Sequence, residues 1–127
     1  MTREPGFGAD DTIIAVTTIS FDIAALELYL PLIAGGKVVI ADRAQVQDGF
    51  ALVNLVREHR PTVLQATPTL WRMLVEAGLE AKPELKILTG GEPLPADLAA
   101  RLAALGGEVW NMYGPTETTI WSSVARI

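Results

Sequence analysis

The residues best suited to chemistry lie in one nine-residue run, Asn111-Met112-Tyr113-Gly114-Pro115-Thr116-Glu117-Thr118-Thr119. An amide, an aromatic ring, three hydroxyls and a carboxylate crowd around a Gly-Pro turn, just after the apolar pair Val109-Trp110. Hydroxyls and a hard carboxylate oxygen suit phosphate oxygens and a divalent cation. The same run also reads as a polar loop between strands. Two further places stand out. Asp22, beside Phe21, follows a β-branched apolar run, where a carboxylate can pair with an ammonium ion or cap a helix. Gly90-Gly91-Glu92 follows another apolar run, and two positions without side chains admit a flat ligand close to the backbone or make a plain turn. No GxGxxG and no P-loop lysine accompany it, so phosphate binding does not follow from this loop.

The elements that must position these residues alternate. Thr12 to Thr18 reads as a buried strand, and Ser20 or Asp22 as the cap of a helix through Leu32, with Ile23, Leu26, Leu30 and Ile33 near one face. Pro31 is expected to kink or end that helix, and Gly35-Gly36 to stop it. Lys37 to Ala41 is a second buried strand. Asp48 opens a helix ended by Pro61, with Phe50, Leu52, Val53 and Val56 as its apolar residues. Thr62 to Ala66 is a third strand. Thr67 caps a helix with Pro68 at its first position, running to Gly78. Leu85 to Thr89 is a fourth strand, 95–105 a helix closed by Gly106-Gly107, and Glu108 to Met112 a fifth strand, with Ile120 to Ile127 as a sixth. The expected fold is α/β: a mostly parallel sheet of five or six strands with helices on both faces, flavodoxin-like or Rossmann-like. In such sheets ligands gather outside the carboxyl ends of the strands, where Asp22, Gln65, Gly90 and the Asn111–Thr119 run all fall.

Composition bounds the rest. At 127 residues the chain is one domain or part of one, and 50% hydrophobic residues supply a core. The net charge of −5, with no basic cluster, argues against sequence-independent binding to nucleic acid. Without cysteine there is no disulfide framework and no Cys-based metal site, and a reducing cytoplasm is the expected location. The amino terminus lacks the basic and apolar regions of a signal peptide. The apolar stretch 21–34 is too short to span a bilayer and is interrupted by Asp22, Glu27 and Pro31. His59, the one histidine, sits at a helix end where its charge is favoured. Trp71 reads as core or interface, and Asp10 and Asp11 as solvated acids.

The string NMYGPTE resembles a hallmark of adenylate-forming enzymes, and the chain looks most like the amino-acid-activating (adenylation) domain of nonribosomal peptide synthetases. The resemblance implies that Asp22 of the Phe-Asp pair holds the substrate's amino group, an anion that acyl-CoA ligases do not need. It implies that Gly90, Gly91 and Glu92 border the adenine, that Asn111 meets its edge and Tyr113 its face, that Thr116 meets the phosphate, and that Glu117 holds Mg²⁺. The pocket for the amino-acid side chain would be lined by Asp22, Ile23, Leu26, Gln65, Leu88, Gly90, Met112, Ile120 and Trp121. Leu26, Leu88, Met112 and Trp121 are bulky, so the walls fill the cavity, a combination similar to that of glycine-activating members. Gln65 could bond Trp121 and close it.

The resemblance covers the whole chain, but the chain matches only part of such a domain. No Ser/Thr/Gly-rich phosphate loop ending in Pro-Lys-Gly is found, nor the later Asp for the ribose, the hinge, or the small domain with its catalytic Lys. The expectation is a single subdomain over 1–127, excised from an adenylation core, that folds but does not turn over alone. ATP and Mg²⁺ would act in the full domain and bind the isolated piece only weakly. Its partners would be the remaining subdomains, a carrier protein and a small amino acid, with no nucleic acid and no membrane. Two other readings stay open: a non-catalytic flavodoxin-like or receiver-like binding module, and part of an acyl-CoA ligase. A receiver would want acids at strand ends, where Gln65, Thr89 and Gly90 stand.

Overall fold

The structure, a computed structural model, describes residues 6–16, 22–113 and 123–127, with the side chains of 6–16, 27–112 and 126–127. Its elements run β1 (Thr12–Ala15), α1 (Asp22–Ala34), β2 (Lys37–Ile40), α2 (Arg43–Gln47), α3 (Gly49–His59), β3 (Val63–Ala66), α4 (Pro68–Glu76), β4 (Lys82–Gly90), α5 (Ala96–Leu105), β5 (Gly106–Tyr113) and β6 (Ser123–Arg126). They build one six-stranded sheet in the order β2-β1-β3-β4-β5-β6. Neighbours from β2 to β5 are parallel, and β6 returns antiparallel along β5. The expected α/β sheet with helices on both faces is therefore present.

Strand alternation sorts the core into two layers. Ile14, Leu64, Ile87 and Val109 meet Leu52 and Val56 of α3, Trp71 and Leu74 of α4, and Leu98 and Leu102 of α5. Their neighbours Ile13, Val63 and Leu88, with Met112, meet Leu30 of α1 and Phe7 on the other side. The split follows from handedness. Right-handed crossovers place α1, which carries the chain from β1 outward to β2, on one face, and the helices that carry it back toward β5 on the other.

Local chemistry sets the element ends. The Asp48 carboxylate accepts from the Phe50 amide at 3.0 Å, opening α3. The Thr67 hydroxyl accepts from Leu70, with Pro68 in the first turn of α4. α3 closes on Arg60 in the left-handed region (φ 47°) just ahead of Pro61.

Several expectations need correction. The helix α2 was missed, although Asp42 and Gln45 form a reciprocal capping box that marks its start. β2 is not buried: among the described strands it is an edge, paired with β1, and Lys37 and Ile40 are exposed. Pro31 does not end α1, which continues to Ala34 and closes where the Gly36 amide donates to the Pro31 carbonyl (2.9 Å), past Gly35 at φ 79°. A late proline forfeits one helical bond, and the packing of Leu30 outweighs it. Ile33 faces outward, 79% exposed, as does Phe50 of α3. Asp11 is not simply solvated: its carboxylate accepts from the Gly8 amide (2.7 Å) and the Thr62 hydroxyl (2.7 Å), pinning the amino-terminal edge of β3. β1 is described to Ala15, so Thr17 and Thr18 of its expected span lie outside the described residues.

The pairing of β4 and β5 slips between Lys82 opposite Gly106 and Lys86 opposite Glu108, so β4 carries extra residues there. A Cβ on Gly107 would overlap the Pro83 carbonyl oxygen, which is backbone and cannot swing aside. We expect Gly107→Ala to cost about 1–3 kcal/mol through this overpacking, read as a lower urea midpoint. An unchanged midpoint would mean that the bulge yields freely.

Candidate functional site

The winding of the sheet reverses between β1 and β3, because β1 leads outward to β2 while β3 begins the march toward β5. Crevices for ligands open outside the carboxyl ends of strands at such a reversal. Gln65 stands near the carboxyl end of β3, in register with Leu88 of β4. Gly90, two residues on, is in register with Met112 of β5. Alternation puts these four on one face of the sheet. Gln65 and Leu88 are each 1% exposed, Met112 is 3% exposed, and Gly90 is buried. The four pocket positions whose side chains are described thus form one dense patch.

The other expected residues fall as follows. Asp22, Ile23 and Leu26 lie in the first turns of α1, and their side chains are outside the described residues, as is that of Tyr113 at the end of β5. Thr116, Glu117, Ile120 and Trp121 lie wholly outside them. Asn111 is exposed and in register with Thr89, so the pair belongs to the sheet face opposite Gly90 and Met112. Thr89 is fully buried, and its hydroxyl finds no partner among the described residues. Gly91 takes φ 85°, a conformation that side chains disfavour. A backbone turn without side chains, an orphaned hydroxyl and an exposed amide fit the rim of a polar, flat ligand. Among the described residues no group of three His, Cys, Asp or Glu could hold a metal ion.

Glu92 has local work. Its carboxylate accepts from the Thr69 amide (3.0 Å) and the Thr69 hydroxyl (2.9 Å), capping the amino end of α4 from the loop after β4. The Thr69 amide bond, and after it the Thr69 and Thr67 hydroxyls, hold its carboxyl below the ordinary value against a partial opposing effect of burial. Trp71 anchors the same strand end from beneath: its indole N–H donates to the Leu88 carbonyl at 3.0 Å, and the ring is fully buried. Arg72 reaches Asp97 at 3.2 Å, joining α4 to α5 across an exposed surface.

One residue at the reversal was passed over in the sequence. Glu27 of α1 is fully buried. One of its oxygens accepts from the amide of Val16, just past β1 (2.8 Å), and the other from the Gln65 side-chain amide (3.5 Å). The available signal was its isolation: it is the one charged residue between Asp22 and Lys37, inside an apolar helical run.

The family model described as AMP-binding enzyme matches residues 1–127. A dimodular nonribosomal peptide synthase of Bacillus subtilis is 48% identical over 118 residues, covering 93% of this chain and 5% of that protein. A PKS-NRPS hybrid synthetase of Aspergillus niger is 45% identical, covering 92% of this chain and 6% of the other. A crystal structure of a four-domain nonribosomal peptide synthetase bound to AMP and glycine superposes with a TM-score of 0.95 at 44% identity, covering all of this chain and 10% of that one. The chain thus spans a small part of the length of the relatives it matches. No described helix is long and apolar enough to cross a membrane.

Two measurements probe the supports of this strand end. Trp71→Phe should cost about 1–3 kcal/mol by removing the donor to the Leu88 carbonyl, seen in denaturant unfolding; a neutral outcome would deny the anchor. A carboxyl held low in the folded state adds stability above its unfolded value, and that stability is lost as pH falls through the lower folded value. Glu92→Gln should therefore lower the melting temperature at neutral pH, modestly because the group is exposed and screened. The two curves should converge as pH falls below 4.5. A gap that widens in acid would contradict the assignment.

Proposed function

Because the chain belongs to the AMP-binding enzyme family, we propose that it is the amino-acid-recognition part of a nonribosomal peptide synthetase adenylation domain, with glycine as the amino acid. The observation that carries the reading is the convergence of Gln65, Leu88, Gly90 and Met112 on one buried face at the carboxyl ends of β3, β4 and β5. That peptide synthetases are among the relatives favours this over an acyl-CoA ligase. The peptide synthetase structure with AMP and glycine supports the choice of amino acid.

In the reaction of the whole domain, a carboxylate oxygen of the amino acid attacks the α-phosphorus of ATP. A P–O bond breaks, pyrophosphate leaves, and an aminoacyl adenylate forms for transfer to a carrier-protein thiol. Such chemistry rests on positioning and on charge stabilisation around the phosphorus. In this reading Asp22 holds the ammonium group, which needs a charge partner once it leaves water. Ile23, Leu26, Ile120 and Trp121 complete the wall begun by Leu88 and Met112, leaving room for little beyond hydrogen at Cα. Asn111, Tyr113, Gly91 and Thr116 serve the nucleotide. Glu117 is the hard oxygen donor suited to Mg²⁺, whose part is to neutralise phosphate charge. The remaining subdomains and the carrier protein are the partners, and the chain by itself is expected to fold without turnover.

The test is a complete adenylation domain carrying residues 1–127, assayed by amino-acid-dependent pyrophosphate exchange. Glycine should exceed alanine by about 10–200-fold in kcat/KM, the worth of one methylene group, and phenylalanine should be inert. A preference for phenylalanine would overturn the crowded pocket. Asp22→Ala should remove exchange by about two orders of magnitude or more, since it strands a desolvated charge. Unchanged exchange would end the role of Asp22 as amine anchor.

A further inference from the structure

Glu27 is fully buried at the point where the sheet reverses, and both of its carboxylate oxygens accept from groups that belong to different strands. The Val16 amide donates from the end of β1, and the Gln65 amide nitrogen donates from β3. An ionised carboxylate only accepts, and toward that of Glu27 the Gln65 amide turns its NH₂ group, at 3.5 Å. Gln65 is in register with Leu88 and on the face shared with Gly90 and Met112. A residue outside that patch thus bears on the polar groups that Gln65 shows to it.

We propose that Glu27 is a positioning residue for substrate selection: by orienting the Gln65 amide it sets the polar wall of the amino-acid pocket and so the discrimination between glycine and larger amino acids. This deepens the adenylation reading and rests on it. Three features favour orientation over mere support. The two contacts use separate oxygens, so the Val16 bond fixes the carboxylate that then fixes Gln65. The helix that carries Glu27 also begins with Asp22, so the amine anchor and the amide clamp ride on one rigid element. Both residues of the pair are buried, where an unoriented amide would cost more than an apolar side chain.

Glu27→Gln is nearly isosteric. Its oxygen can still accept from Val16, but its NH₂ then faces the NH₂ of Gln65, and two donors cannot bond. The Gln65 amide must rotate and present the opposite pattern to the pocket. In the complete adenylation domain carrying residues 1–127, glycine and alanine exchange would be measured for the parent, Glu27→Gln, Gln65→Met and the double variant. The expected result is a glycine-to-alanine ratio in kcat/KM about tenfold lower in each single variant, a raised KM for glycine, and no further fall in the double variant. A merely structural glutamate would lower yield and melting temperature and leave the ratio alone.

The inference is overturned if Glu27→Gln keeps the parent's ratio, or if the two single effects multiply in the double variant. Should Glu27→Gln fail to fold, Gln65→Met decides alone: a parental ratio there removes the amide from selection and the inference with it. A parent that activates no glycine would instead overturn the functional reading itself, so the two failures are distinct.

Discussion

The reversal of winding between β1 and β3 is the constraint on which the rest of this molecule depends. Every right-handed crossover covers one face of the sheet, and at the reversal the covering helices part to opposite sides. The strand tips there cannot rely on a passing connection to satisfy their polar groups. A buried backbone N–H without an acceptor is costly. The Glu27 carboxylate supplies that acceptor for Val16 and at the same stroke ties β1 to β3 through Gln65. The reversal is thereby bridged, and the Val16 amide is satisfied.

From that reversal the remaining geometry follows by alternation. Consecutive residues of β5, Asn111 and Met112, belong to opposite faces, and so do Thr89 and Gly90 of β4 beside them. Met112 and Gly90 are buried on one side, and Asn111 is exposed on the other. Under the adenylation reading, a ligand that uses both sides must pass over the strand tips, and the tip of β4 is Gly90-Gly91. The first glycine offers no side chain to the pocket and the second holds the left-handed turn (φ 85°). Two structural demands, clearance and turning, explain two glycines in a row. Glu92 and Trp71 then hold this tip from either side of α4, one by its amino end and one from its buried face.

Much of this was legible in the chain because local signals and burial agreed. Asp48, and Thr67 with Pro68, cap helices that start where they indicate. The β-branched runs became strands, and the positions carried over for Gln65, Leu88, Gly90 and Met112 landed together. The misses share a physical cause: the signal was real, but its meaning depended on a neighbour. KVVI has the composition of a central strand, yet only the sheet order reveals that it is an edge among the described strands. Pro31 is a breaker by itself and tolerable when the turn before it is packed. Glu27 looked like an interruption of an apolar run, because Val16 and Gln65, which bond it, lie 11 and 38 residues away in the chain.

Those distant partners also bear on why such a group persists in a mostly apolar core. A buried polar pair is weak ground for stability, since apolar residues of like volume often serve as well or better. What apolar residues cannot do is define a direction. A carboxylate held by a backbone amide has one orientation, and an amide held by that carboxylate has one orientation in turn. Leu88 and Met112 on the same face are apolar and buried, and under the adenylation reading they can reject by size but cannot distinguish one end of an amide from the other. Glu27 sits at the switch point on the helix that begins with Asp22, so under the adenylation reading one element carries both residues.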